Sequence, residues 1–277
     1  SYLIKGAAAA IVDAGMTCMA PHYISDIRKH LNGKHPAFLF LTHSHYDHCG
    51  AVSEMKKAFP GMQICCSEAA AEVFQRPRAL DTIRDLNRAG TQYLARFGQC
   101  ESDAPDFEPF SVDRVIADGE TVILGTDLSI EVIATPGHTR DAMSYYVPAK
   151  KILFTGEAAG VPESSGYIFS EWLSDYDDYL RSLRRLAGLD VETLCVAHGM
   201  VLTGREAAEY MPRAIDACLA FRERIEKTLE ETGGDFEETK RRIKETEYDP
   251  LPEPKQPDFA YLLNLEAKIR AVIGKRE

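Results

Sequence analysis

No apolar run in this chain approaches the ~20 residues that a bilayer-spanning helix needs, so a membrane-embedded protein is not expected. Positive charge is in deficit. Lys and Arg total 32 against 43 Asp and Glu, leaving a formal charge of -11 that repels a phosphate backbone and argues against nucleic acid as a partner. An anionic small substrate is still compatible with that balance, because a bound divalent cation reverses the charge locally. The seven cysteines (Cys18, Cys49, Cys65, Cys66, Cys100, Cys195, Cys218) contain no CxxC pair. An odd number in a chain of 277 residues fits reduced thiols better than a disulfide framework, and a cytoplasmic location is the expectation. The opening "SYLIKGAAAAIVDAG" carries Lys5 and a strand-like pattern rather than the features of a signal peptide. Internal repeats are absent, and one biased segment stands out, "YDPLPEPKQPD", whose four prolines predict extended chain. A hydrophobic share of 45% with 27% charge predicts a packed core, alone or with a smaller appended unit.

What is present first alternates strands with helices. Tyr2 to Ile4 and Ala8 to Val12 predict a hairpin, and Ile24, Ile27 and Leu31 a helix that stops at "NGKHP". "AFLFLTH" reads as a buried strand, Val52, Met55 and Phe59 as a helix, and "MQICC" as another strand. This rhythm is that of an α/β protein. Residues 67 to 98 predict a helical insertion that Pro77 breaks into at least two pieces. From Val112 to Phe154 short strands follow with turn residues between them, and Tyr176, Tyr179, Leu180, Leu183 and Leu186 then mark an amphipathic helix before the strand "TLCVAHG". Beyond Gly204 two helical patterns, Met211 to Leu229 and Phe259 to Ile273, predict a helical appendage. The expected division is therefore a domain over 1–204 and a C-terminal helical extension over 205–277, packed on it.

Five of the eight histidines lie where a predicted strand runs into a loop. In "THSHYDH", His43 and His45 are two apart, which puts them on one side of extended chain, and Asp47 and His48 come as the chain turns into a helix. His138 follows a strand and a Pro-Gly turn, and His198 ends a strand before glycine. A solvent-facing loop accounts for any one of these, but not for the joint pattern.

The sequence resembles the metallo-β-lactamase superfamily, whose HxHxDH motif is matched by His43, His45, Asp47 and His48, and whose later single-histidine motifs are matched by His138 and His198. The resemblance covers about residues 2 to 204 and includes the first hairpin, where Asp13 matches the family aspartate. It implies an αββα sandwich of the α+β kind, two mixed sheets face to face with helices outside. It also implies two divalent metal ions, zinc first, with iron or manganese as alternatives: His43, His45 and His138 for one, and Asp47, His48 and His198 for the other. The family's bridging aspartate falls on Glu157 in "ILFTGEAAG", one methylene longer, which leaves occupancy of the second site open. Neutral imidazole and carboxylate suit these metals, and ions ~3.5 to 4 Å apart can share a bridging hydroxide. Asp13 is expected to fix a loop or a ligand histidine by hydrogen bonding.

The length and C-terminal helices resemble the glyoxalase II and acyl-CoA thioesterase branches. The expected activity is a metal-dependent hydrolase that attacks a small thioester or ester with a metal-bound hydroxide, Asp47 and His48 serving in catalysis. A lactonase, a mononuclear-iron sulfur dioxygenase or a metal-binding regulatory protein are the alternatives. Arg140, Trp172, Tyr176 and Phe259 are candidate substrate contacts, a small molecule is the expected partner, and homo-oligomerisation is left open. Cys49 reads as core packing, and Tyr46 is assigned no chemistry.

Overall fold

The computed structural model describes residues 1–101, 103–163, 165–198, 200–253 and 255–274. Gly199 after His198, Pro254 of the proline-rich stretch and the last three residues of the expected C-terminal extension lie outside them. The chain divides into two compact units, Ser1–Ala134 with Asp141–Gly156, and Thr135–Arg140 with Glu157–Glu277.

The early apolar runs of the first unit form a five-stranded sheet in sequence order. Strands β1 (Tyr2–Ile4) and β2 (Ala10–Val12) are the expected antiparallel hairpin, and β3 (Phe38–Phe40), β4 (Gln63–Cys66) and β5 (Arg114–Val115) add on in parallel. Two adjacent register rows explain why "AFLFL" is continuously apolar. Ile11, Leu39 and Ile64 share one row and are buried with Ile27 of helix α1 (Ala20–His30). Val12, Phe40 and Cys65 form the other row and face a second sheet, where the Phe40 ring meets Tyr145 at 5.2 Å. A sheet covered on both faces has no polar side to alternate with.

Helix α2 (Tyr46–Cys49) is a single turn leading into α3 (Val52–Ala58), whose Val52 and Met55 join the core with Ile27. The predicted insertion is two helices, α4 (Glu68–Val73), capped by Ser67, and α5 (Pro77–Arg96). Pro77 opens α5 in its first turn, where the missing N–H has no helical acceptor to lose. The second sheet of this unit is an antiparallel run of β6 (Thr121–Gly125), β7 (Leu128–Ala134), β8 (Met143–Val147) and β9 (Ile152–Gly156).

The second unit contains two short hairpins, β10 (Val161–Pro162) with β11 (Ile168–Phe169), and β12 (Thr193–Val196) with β13 (Val201–Thr203). Its helices are α6 (Tyr176–Ala187), α7 (Arg205–Glu231), α8 (Phe236–Glu247) and α9 (Asp258–Ile273). At the centre Trp172 is fully buried, with Tyr176 at 5.1 Å and Phe221 of α7 at 5.5 Å between ring centroids. Helix α8 has no counterpart in the sequence reading, because its buried residues are Thr239, Ile243 and Glu247 and no apolar stripe exists to be seen. The stretch "YDPLPEPKQPD" is not extended at its start: Asp249 N–H donates to Lys244 O at 3.0 Å and Leu251 N–H to Tyr248 O at 3.1 Å, closing α8 in turns.

Candidate metal centre

In the first unit the parallel strands β2 and β3 end side by side, so the residues just past them, Asp13 and Thr42, meet. Asp13 holds a left-handed backbone, φ 61°, which a short polar side chain tolerates better than a bulky one. Its carboxylate accepts from Thr42 N–H at 2.7 Å and from the Thr42 hydroxyl at 2.9 Å. A hydroxyl has one proton, and here it goes to Asp13. The Thr42 oxygen therefore accepts from His43 Nδ1 at 3.0 Å. His48 Nδ1 lies 2.8 Å from Asp13 Oδ2, an atom that only accepts, so this nitrogen also carries its proton. One buried aspartate thus sets the tautomer of two imidazoles, and in each the Nε2 lone pair points away from it.

The same turn brings the remaining donors close. The His43 ring centroid is 4.6 Å from that of His45 and 4.1 Å from that of His48. Asp47 Oδ2 lies 3.9 Å from His48 Nε2. Ligand atoms of His43 and His45 fall within 4.8 Å of each other, as do those of Asp47 and His48. Gly156, at the end of β9, is required next to this network: with φ 53°, a Cβ there would lie 2.8 Å from Thr42 Cβ. Cys49 adds no ligand, since its thiol is fully buried, and burial, reinforced by Asp47, pushes its pKa well above the ordinary range.

In the second unit the loop 135–140 is fixed by Gly137, whose carbonyl accepts from Leu173, Ser174 and Asp175 N–H at 3.1, 3.0 and 3.2 Å. A Cβ on Gly137, where φ is 130°, would sit 2.2 Å from Tyr179 Cα, so no other residue fits. His138 follows, buried, with Nδ1 2.7 Å from the Glu171 carbonyl oxygen. A carbonyl only accepts, so His138 carries its proton on Nδ1. Its Nε2 faces Glu157 Oε2 at 3.3 Å, while His198 Nε2 faces Glu157 Oε1 at 2.9 Å. His198 is itself left-handed, φ 55°, and Glu157 is buried. Each oxygen of the Glu157 carboxylate thus addresses one histidine.

The arrangement at His138 tests whether a metal fits. A lone pair on Nε2 and a carboxylate oxygen repel unless a cation, a proton or a metal ion, stands between them. His48 Nε2 and Asp47 pose the same requirement. In each unit the set is neutral imidazole and carboxylate, with no thiolate, and it fits zinc, iron or manganese.

Behind His138 lies a buried ion pair. Lys268 Nζ of α9 is 2.9 Å from Glu171 Oε1, with side-chain exposures of 2% and 3%. Asn264 Nδ2 donates to Glu171 Oε2 at 3.0 Å. Burial pushes the Glu171 carboxyl above the usual range, and the Lys268 ammonium opposes the rise. Of the expected substrate contacts, Trp172 and Tyr176 belong to the core of the second unit, where the Arg222 guanidinium stacks 4.4 Å over the Tyr176 ring, whereas Arg140 and Phe259 are exposed. Thr42, Glu171, Asn264 and Lys268 were not singled out from sequence. A threonine immediately before the histidine motif is the one local signal among them; the others lie far from His138 along the chain.

Among solved structures, the chain is similar to TTHA1429, a metallo-beta-lactamase family protein of Thermus thermophilus, at 19% identity and a TM-score of 0.68, covering 99% of this chain and 88% of that one. ST1585, an archaeal metallo-beta-lactamase superfamily protein of Sulfolobus tokodaii, is 18% identical with a TM-score of 0.61, covering 98% and 91%. A B3 metallo-beta-lactamase described as having an active site glutamic acid matches 79% of this chain and 82% of its own at 22% identity, with a TM-score of 0.53. These likenesses share the αββα fold. The family model of the metallo-beta-lactamase superfamily matches residues 1–198, the motif residues included, and this chain belongs to that superfamily.

Proposed function

We propose that the chain is a metal-dependent hydrolase acting on a small thioester or ester. The observation that carries the metal part is the contact of Nδ1 of His43, His48 and His138 with an oxygen that accepts, which leaves each Nε2 as a donor atom. Following the family pattern, His43, His45 and His138 would hold one divalent ion, and Asp47, His48 and His198 the second. Glu157 would add a carboxylate ligand beside His138 and His198. A contact of one carboxylate oxygen with His138 and of the other with His198 supports bridging, and it favours a two-metal hydrolase over the single-iron dioxygenase reading. The metals supply a Lewis acid and a water of lowered pKa when bound.

The chain's own groups do the rest. Asp47, whose side chain is 20% exposed, takes the proton of the attacking water and orients it. The water oxygen bonds to the acyl carbon, the bond to the leaving sulfur or oxygen breaks, and the leaving group departs with the proton that Asp47 took from the water. His48, held by Asp13, keeps its ring in place during the transfer. The choice of thioester or ester follows the resemblance of the C-terminal helices to the thioesterase branches.

Metal analysis, with turnover of acyl-CoA thioesters, a lactoyl-glutathione thioester and a homoserine lactone, tests the reading. The expected result is two equivalents of metal with thioester hydrolysis, and one equivalent in Glu157→Gln. A fully metallated protein that cleaves none of the panel sinks the hydrolase assignment, and lactone cleavage alone converts it to a lactonase.

A further inference from the structure

Glu171 is held at every polar group. Its N–H donates to the Tyr179 hydroxyl oxygen at 3.3 Å, its carbonyl accepts from His138 Nδ1 at 2.7 Å, and its carboxylate is clamped by Lys268 at 2.9 Å and Asn264 at 3.0 Å. Lys268 is buried against the Phe221 ring, 5.4 Å from its centroid. Burying a lysine and a glutamate together is a poor way to gain stability, because desolvation cancels most of the Coulomb attraction and an apolar pair of similar volume serves as well. The pair does something an apolar pair cannot. It holds the side chain of the residue whose carbonyl accepts from His138 Nδ1.

We propose that Glu171, Lys268 and Asn264 are positioning residues for His138: the last helix, through the Glu171 clamp, holds the carbonyl that keeps His138 protonated on Nδ1 and its Nε2 aimed at Glu157. The family match ends at residue 198, so the two clamping side chains, Asn264 and Lys268, come from the part of the chain beyond it. The inference rests on the reading of His138 as a metal ligand. A carbonyl free to move by a fraction of an ångström lets the imidazole rotate or exchange tautomers, and outer supports of this kind change metal affinity by about 10- to 100-fold.

The test compares wild type, Glu171→Gln/Lys268→Met, which replaces the ion pair with neutral groups of similar shape, and the milder Asn264→Ala. Tyr261→Phe serves as control: it removes a buried hydrogen bond to Glu247 from the same helix without touching Glu171. Zinc affinity by chelator competition should fall about 10- to 100-fold in the double variant, by a few-fold in Asn264→Ala, and not at all in the control. The visible spectrum of the cobalt-substituted protein should change in the same order. In metal-free protein, the His138 Nδ1 proton should give a slowly exchanging NMR resonance that the double variant loses. A folded double variant with unaltered resonance, zinc affinity and cobalt spectrum overturns the proposal. If wild type keeps the resonance but binds no zinc or cobalt, the metal reading fails and the proposal falls with it, a result distinguishable from the first.

Discussion

Asp13 sits at the junction between what local sequence displays and what only the fold assembles. Its carboxylate accepts from Thr42 and from His48 at 2.8 Å, and both histidine tautomers depend on it. Asp13→Asn replaces one accepting oxygen with an NH2 that donates. Turned toward His48 Nδ1, that amide forces the proton to the other ring nitrogen, and turned away it abandons Thr42. Zinc affinity should drop by about 10- to 100-fold, measured by chelator competition. Metal-free stability should fall by about 1–3 kcal/mol, the cost of a buried polar group left without its partner, measured by urea unfolding. Unchanged zinc affinity would show that the tautomer is set by something else. The motif "HSHYDH" could be read directly because its residues are neighbours in the chain, on one strand end and one helical turn. Glu171 and Lys268, separated by 97 positions, leave no periodic trace, and only packing reveals that they serve His138.

At the scale of elements, period and punctuation predicted what burial rewards. Strands β1 to β4 and β6 to β9, together with α1, α3, α6, α7 and α9, each carry an apolar pattern that a neighbour covers, while α5 is legible from composition and Pro77. Helix α8 carries none; Asp235 caps it, and Glu238 pairs with Arg241 at 2.8 Å and Arg242 at 2.7 Å, contacts that hydropathy does not register. The expected strand "TLCVAHG" is β12, whereas β10, β11 and β13, of two or three residues, carry no apolar run of their own. The Pro-Gly pair of "TPGH" marks a turn, but the reason for its glycine lies in the packing. Gly137→Ala must strain a φ of 130° and push a methyl into the Tyr179 backbone. The expected loss is roughly 2–6 kcal/mol, from strain and overpacking of about 1–3 kcal/mol each, read as a lowered urea midpoint. Because the backbone of α6 cannot yield as a side chain tip would, the loop presenting His138 should also loosen, seen as faster amide exchange at Leu173, Ser174 and Asp175. A variant as stable as wild type contradicts the close approach.

For the whole molecule, the position of the lone tryptophan decides whether the C-terminal helices are an appendage or part of a core. The sequence suggests an appendage, since the family pattern is complete by His198. Within the second unit Trp172 lies against Phe221 of α7, and Lys268 of α9 closes on Glu171 beside it. Tyr210, Phe221, Ile225, Leu229, Leu265 and Ile269 are all buried, and the compact unit runs from Glu157 to Glu277 with residues 135–140 added. A chain ending at residue 204 removes all of these partners at once. Replacing each large buried side chain with solvent loses about 1.5–3 kcal/mol of burial, and six such losses, about 9–18 kcal/mol, match the whole 5–15 kcal/mol by which domains are stable. The truncated chain should therefore show red-shifted Trp172 emission in the absence of denaturant and no cooperative unfolding of that signal, while the full chain emits at short wavelength until it melts. Zinc binding should be lost with it, because residues 135–140 and the Glu171 carbonyl no longer hold His138. A truncated protein that keeps short-wavelength emission and a cooperative melt would establish that the helices beyond Gly204 are dispensable for the core, and that the expected boundary at 204 is a true domain edge.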